Sequence, residues 1–184
     1  MVSKIVKKST KNVLIGMRIP RDYFHTQGRG ESDITIHAGS YHLALKAADI
    51  EMCNIMTYSS IMPGIAKQIQ KPKLTHGAVM ETIMAVAHGT KGQEISAGII
   101  YGWLYNKKTG EKYGGLVCEH NGDYDEKELE RRLRASLNEL YVNGFSEMYN
   151  IKNITTLKES FKVRKRHGTA LVAICFINYE VPLL

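Results

Sequence analysis

Cysteine is scarce in this 184-residue chain and long apolar runs are missing, and each shortage excludes a class of protein. Cys53, Cys118 and Cys175 are odd in number, far apart and each set within an apolar segment. Their spacing fits neither a zinc site nor a disulfide framework. They predict buried free thiols in a reducing compartment, the cytoplasm, and no bound metal. No uninterrupted apolar stretch reaches the length of a membrane-spanning helix, so no membrane partner is expected. The basic start, with Lys4, Lys7 and Lys8, lacks a following apolar core ending in small residues and does not read as a secretory signal. Internal repeats, low-complexity tracts and linkers are missing as well. The expectation is a single domain over residues 1–184, long enough for a substantial core.

Acidic residues are also in deficit, 18 against 25 lysines and arginines, which leaves a net charge of +7 and raises the question of nucleic acid. The excess is local. It lies in Lys4, Lys7, Lys8 and Lys11, and in the cluster 162–168. Neither group is interleaved with aromatics or accompanied by a nucleic-acid motif. The second sits between two strand-like runs, where a solvated hairpin turn is the plainer explanation. No nucleic-acid partner is expected.

What is present reads as alternating strands with two helices. Residues 13–17 form a short apolar strand closed by Pro20. The stretch 23–33, with Gly28 and Gly30 among polar residues, reads as a polar loop in which a glycine could take φ > 0. Its spacing matches neither the P-loop nor the dinucleotide fingerprint. Tyr41, Ala44, Leu45 and Ala48 make one stripe of an amphipathic helix, with His42 beside it. The run from Asn54 leads through Ser59 and Ser60 into a Pro63-Gly64 turn. Strands follow over 76–86, 94–105 and 113–119, the last two joined as a hairpin through a loop containing Gly110. Glu119 ends an apolar strand, with Gly114 and Gly115 upstream to admit a ligand, and is a candidate general acid. Asp125 and Glu128 form a capping pair for the longest helix, striped by Leu129, Leu133, Leu137 and Leu140. A strand pair, 154–163 and 169–179, closes the chain, and the wholly apolar 170–177 belongs at the centre of a sheet. Two main helices and about seven strands make this an α+β fold with largely antiparallel sheets.

At Ser59-Ser60 the chain resembles the pyruvoyl-dependent arginine decarboxylases. Four stretches carry the likeness: 24–33, 54–63, 76–85 and 114–119. The resemblance implies a four-layer αββα sandwich, assembled as a homotrimer or a pair of trimers with active sites between subunits. It implies that Ser60 Oγ attacks the Ser59 carbonyl, that the chain parts between 59 and 60 into a β chain (1–59) and an α chain (60–184), and that residue 60 becomes a pyruvoyl group. That covalent, self-made cofactor would form an imine with an amino-acid substrate and accept the electrons left by carbon dioxide, converting L-arginine to agmatine. By the same resemblance Glu119 donates the proton to Cα and Asn54 organises the cleavage site, while Tyr41, His42, Leu45 and Ile61 bind substrate. One departure stands out. Close relatives carry an aspartate for the guanidinium where this chain has His42, which leaves another amino acid as an alternative substrate.

Overall fold

Residues 17–182, described by the computed structural model, contain nine strands and two α-helices. In chain order they are β1 (Ile19–Ser32), a π-helical turn (Ile36–Tyr41) running into α1 (His42–Ala47), β2 (Asn54–Thr57), β3 (Ile61–Pro63) and β4 (Lys67–Gln68). Then come β5 (Val79–Thr90), β6 (Glu94–Asn106), β7 (Lys112–Gly122), α2 (Glu126–Gly144), β8 (Tyr149–Lys162) and β9 (His167–Glu180).

Strand β9 shows why the layers stack as they do. It is apolar on both faces, so both must be covered. Ala170, Val172, Ile174 and Phe176 join one buried cluster, and Leu171, Ala173 and Cys175 join another. β9 accordingly sits in the middle of a five-stranded sheet, ordered β2-β5-β9-β1-β4. A four-stranded sheet, ordered β3-β7-β6-β8, packs against it. Ile95, Ala97, Ile99 and Tyr101 of β6 meet Ile83, Ala85 and Ala87 of β5 in the first cluster. Most pairings are antiparallel; β2 with β5 and β1 with β4 are parallel.

The outer faces take the helices. Ala44, Leu45 and Ala48 bring α1 onto the five-stranded sheet, beside Phe24, Leu171 and Cys175. Leu129, Leu133 and Leu137 bring α2 onto the four-stranded sheet, beside Ile100, Leu104 and Leu116. Each fully buried leucine contributes roughly 1.5–3 kcal/mol, so packing rather than helix propensity holds α2. Its start is fixed by Asp125, whose carboxylate accepts from Glu128 N–H at 2.8 Å.

Three expectations need correction, and a fourth falls outside the described residues. The stretch 23–33 is no loop: it is most of β1, and Gly28 and Gly30 are extended. Their role is closeness. A Cβ on Gly28 would lie 2.2 Å from the Ala44 carbonyl oxygen, and one on Gly30 2.2 Å from that of Ser40. The closing strands do not pair with each other: β8 bonds to β6 and β9 to β1 and β5. The basic segment between them therefore carries the chain from one sheet to the other, with Lys165 N–H and Arg166 N–H donating to Glu31 and Asp33 at 3.1 and 3.2 Å. Cys175 is buried, but Cys53 and Cys118 are only partly so. Of the predicted first strand, residues 13–16 lie outside the described residues, as do Lys4, Lys7, Lys8 and Lys11; Met17 precedes β1.

Candidate active site

The chain first crosses from one sheet to the other at Ser59. Upstream, β2 pairs in register with β5, Thr57 opposite Thr82, and Tyr58 N–H donates to the Thr82 carbonyl at 2.7 Å. Downstream, the Ser60 carbonyl accepts from Val117 N–H at 3.2 Å, and Ile61 pairs with Leu116. The chain thus leaves one sheet at residue 58 and joins the other at residue 60, and the exposed Ser59 alone spans the step. Its carbonyl oxygen is engaged, accepting from Ile61 N–H at 3.0 Å.

Ser60 faces a carboxylate. Its Oγ lies 2.8 and 2.7 Å from the two oxygens of Glu119, and both side chains are half-buried. Glu119 stands on β7 opposite Ile99 of β6. β3 is only three residues long, so β7 runs on past Val117 without a strand on that side among the described residues. A cavity of about 610 Å³ opens there, between Ser60, Glu119 and His120 and the α2 residues Ser136, Glu139 and Asn143. His120 Nε2 and Ser136 Oγ are 2.8 Å apart. Burial, with help from Arg132, pulls the His120 imidazole below its usual value, and Glu119 partly opposes this. Burial, then the Glu119 charge, pushes the neighbouring Cys118 thiol up to about 11. The flanks of the pair are thus a neutral ring and a protonated thiol at neutral pH. A hydroxyl with an adjacent carboxylate, next to a carbonyl that already has an N–H donor, is a set suited to acyl transfer.

The chain brings together Ser59, Ser60, Ile61 and Glu119. It does not bring the other predicted residues to them. Asn54 opens β2, a full short strand away, and its Nδ2 donates to the Gly77 carbonyl at 2.9 Å. Tyr41, His42 and Leu45 lie on the far side of the five-stranded sheet, with the Tyr41 ring edge-on to His37 and His88. His42 is exposed, and Leu45 is 8% accessible beneath it. Stacked sheets are about 10 Å apart, so a whole layer intervenes between α1 and Ser60. Ser136, Glu139 and Asn143 were not legible as site residues. Their spacing was visible in the sequence, but a polar stripe beside an apolar one is also what a solvated helix face looks like.

A sequence profile described as pyruvoyl-dependent arginine decarboxylase matches residues 22–181. The chain belongs to this family. Relatives named pyruvoyl-dependent arginine decarboxylase AaxB, from Chlamydia muridarum and Chlamydia trachomatis serovar L2, are each 32% identical; each match covers 90% of this chain and 94% of the relative. Pyruvoyl-dependent arginine decarboxylase 2 of Archaeoglobus fulgidus is 28% identical over 68% of this chain and 80% of its own length. Membership makes the chain a decarboxylase, a carboxy-lyase, whose cofactor is a covalently bound pyruvoyl group. The residues around Ser60 fit such a group. Its hydroxyl has Glu119 as partner, the carbonyl it would attack has Ile61 N–H, and the cavity beside both admits a small molecule.

Proposed function

We propose that the chain cleaves itself between Ser59 and Ser60 and then decarboxylates L-arginine to agmatine and carbon dioxide. The observation that carries this reading is the contact of Ser60 Oγ with Glu119 beside a Ser59 carbonyl that is already hydrogen-bonded. In the first step Ser60 Oγ adds to the Ser59 carbonyl carbon. The C–N bond breaks, an ester forms, and the hydroxyl proton passes to the released amine, while the contact with Glu119 orients Ser60 Oγ for attack. Ile61 N–H meets the oxygen on which negative charge develops. Loss of the residue-60 Cα proton then expels the Ser59 carboxylate. The dehydroalanine left behind hydrolyses with loss of ammonia to the pyruvoyl group. The products are a β chain of residues 1–59 and an α chain of residues 60–184.

Once formed, that group supplies an electron sink for the pair left by carbon dioxide. Glu119 holds the proton that goes to the substrate Cα. Ile61, 70% exposed beside Ser60, gives the substrate an apolar wall.

Tyr41, His42 and Leu45 act on a different copy's Ser60. In this reading the protein is a homotrimer or a pair of trimers, and α1 of a neighbour closes each cavity. The separation of α1 from Ser60 by a sheet supports this, as do the exposed apolar side chains Met56, Ile61 and Val79 around the crossing. Asn54, remote from Ser60 within one chain, organises the cleavage site across the same boundary.

Arginine is the first substrate because the relatives are named for it. His42 favours a second reading, the same machinery acting on another amino acid, since imidazole cannot copy a carboxylate's bidentate grip on guanidinium. Intact-mass measurement and a substrate panel test both. An unbroken 20.7 kDa chain after prolonged incubation, with no fragment beginning at residue 60, would leave only a non-processing, basic binding homologue. Arginine turnover no better than that of ornithine, histidine or glutamate would defeat the arginine assignment.

A further inference from the structure

A buried carboxylate that the mechanism above leaves idle is bonded to Tyr58, the residue just before Ser59. Glu81 of β5 is 3% accessible, in a strand whose neighbours Thr82, Ile83 and Ala85 are buried and uncharged. Burying a carboxylate is costly unless it is paired and hydrogen-bonded. Glu81 has both compensations. Arg18 Nη2 forms an ion pair with Oε1, and the Tyr58 hydroxyl donates to Oε2. The Arg18 guanidinium also lies 5.2 Å from the centre of the Tyr179 ring, and the Tyr58 ring packs on Phe176 with centroids 5.6 Å apart.

The position of Tyr58 makes this cluster more than a satisfied core charge. Tyr58 is the last residue held by the five-stranded sheet, through its N–H to Thr82, and Ser60 is the first held by the other sheet. Ser59 spans the gap alone, so the placement of its carbonyl relative to Ser60 Oγ depends on both anchors. On the upstream side, the backbone bond fixes only one point. The phenol bound to Glu81 fixes the residue a second time and stops it from pivoting about that point.

We infer that Glu81 is a positioning residue for self-cleavage: through Tyr58 it clamps the upstream side of the Ser59–Ser60 bond, with Arg18 paired to the carboxylate in its buried site. The inference rests on the self-cleavage reading and adds a residue to it. Intramolecular attack depends steeply on alignment, and a shift near 1 Å can slow such a reaction by about 100-fold. Loosening the clamp therefore slows cleavage without touching Ser60 or Glu119.

The test follows the cleavage half-time of freshly made protein by intact mass, together with its thermal midpoint. The variants are Glu81→Gln, Tyr58→Phe and their combination, with Ile83→Val on the same strand as a control for lost stability. Glu81→Gln leaves Arg18, whose side chain is 58% accessible, free to turn to solvent, and Tyr58→Phe keeps the ring on Phe176. Expected is cleavage slowed about tenfold or more in each single variant, a double variant no slower than the worse single, and Ile83→Val at the wild-type rate. An intact wild-type chain would remove the self-cleavage reading itself. Wild-type cleavage with equally fast Glu81→Gln and Tyr58→Phe would overturn the clamp alone. So would an Ile83→Val variant slowed as much as they are, or single effects that multiply in the double variant. Should Glu81→Gln not fold, Tyr58→Phe, which removes one oxygen, decides by itself.

Discussion

Ser60 Oγ and the Glu119 carboxylate are in hydrogen-bond contact before any bond is cut, at 2.8 and 2.7 Å. In the proposed mechanism one carboxylate thus stands beside both the residue that would make the cofactor and the place where substrate would react. The two tasks need different things of it. Cleavage needs an acceptor for the Ser60 hydroxyl, and turnover needs a proton to give. An amide keeps an acceptor and loses the titratable proton. Glu119→Gln should therefore still cleave, while turnover by the cleaved protein falls roughly 10²–10⁴-fold. Fragment mass and carbon dioxide release, measured on the same sample, check the two halves separately. Undiminished turnover would strip Glu119 of its role.

Most of the scaffold was legible because it follows from periodicity. The apolar 170–177 run could only be a central strand, and the leucine stripe with Asp125 ahead of it could only be a capped helix. Position 23–33 misled because glycine among polar residues signals a turn locally. The structure uses the same glycines for an approach of α1 that only tertiary contact reveals. The last two strands misled for a similar reason: adjacency in sequence suggests pairing, and a short basic link gives no sign that it changes sheets. At the site, Ser59 and Ser60 were singled out through resemblance and not through physics, since two serines before Pro-Gly are ordinary turn residues, whereas the strand end and the glycines before it already made Glu119 a candidate acid. Glu81 lies inside the 76–85 stretch that carries the resemblance. Nothing in sequence distinguishes a buried glutamate on a strand from a solvated one, and its partners Arg18 and Tyr58 are 63 and 23 residues away.

In the proposed mechanism, removing the Ser60 hydroxyl removes the nucleophile and the precursor of the cofactor together. Ser60→Ala should give a single uncut chain and no decarboxylation, with a thermal midpoint close to that of freshly made wild type. Both the Ser60 carbonyl bond to Val117 and the Ser59 carbonyl bond to Ile61 are backbone contacts that alanine retains. Any fragment beginning at residue 60 in this variant would show that the proposed chemistry is wrong.

Gly28 tests the packing that presents Tyr41 and His42. A methyl there would meet the Ala44 carbonyl oxygen at 2.2 Å and Ala48 N at 2.7 Å, both helix backbone, which cannot rotate aside. Gly28→Ala should lower stability by about 1–3 kcal/mol, the usual cost of overpacking, by lifting α1 off β1. Because Tyr41, His42 and Leu45 ride on α1 while Ser60 and Glu119 do not, KM should rise more than kcat falls. Denaturant unfolding and steady-state kinetics check this; an unchanged unfolding midpoint would contradict the packing.

Stability should peak between about pH 7 and 8.5 and fall on both sides. Burial lowers His25, His88 and His120 below their usual range, His88 with help from His37. The unfolded chain then binds these protons more readily, so the stability present above about pH 6.5 is lost as acid charges them. On the basic side, burial pushes Cys118 and Cys175 up to about 11 and 12, and raises Cys53, Tyr23, Tyr41, Tyr124 and Tyr179. For each, stability is full below the ordinary thiol or phenol value and is lost as pH rises toward the folded one. Lys112, lowered by burial and by Lys67, works the other way, a single group against seven. Thermal midpoints from pH 5 to 11 would show the peak; a maximum at pH 5 would reverse the sign.

His42 is where substrate choice should turn. It is exposed on α1, near Tyr41, and carries no hydrogen bond or ion pair among the described residues. In the proposed assembly it faces the side chain of the bound amino acid across a subunit boundary. Imidazole offers one acceptor at most and repels guanidinium when protonated. A carboxylate offers two oxygens in the plane of the guanidinium fork. His42→Asp should therefore raise kcat/KM for arginine by about tenfold or more, and leave amino acids without a cationic side chain unchanged or worse. The folding cost is small because the side chain is solvated. The measurement is the ratio of kcat/KM for arginine to that for a neutral amino acid of similar length, in both proteins. A ratio that does not move would place His42 outside the substrate contact, and with it the assignment of α1 to the neighbouring cavity.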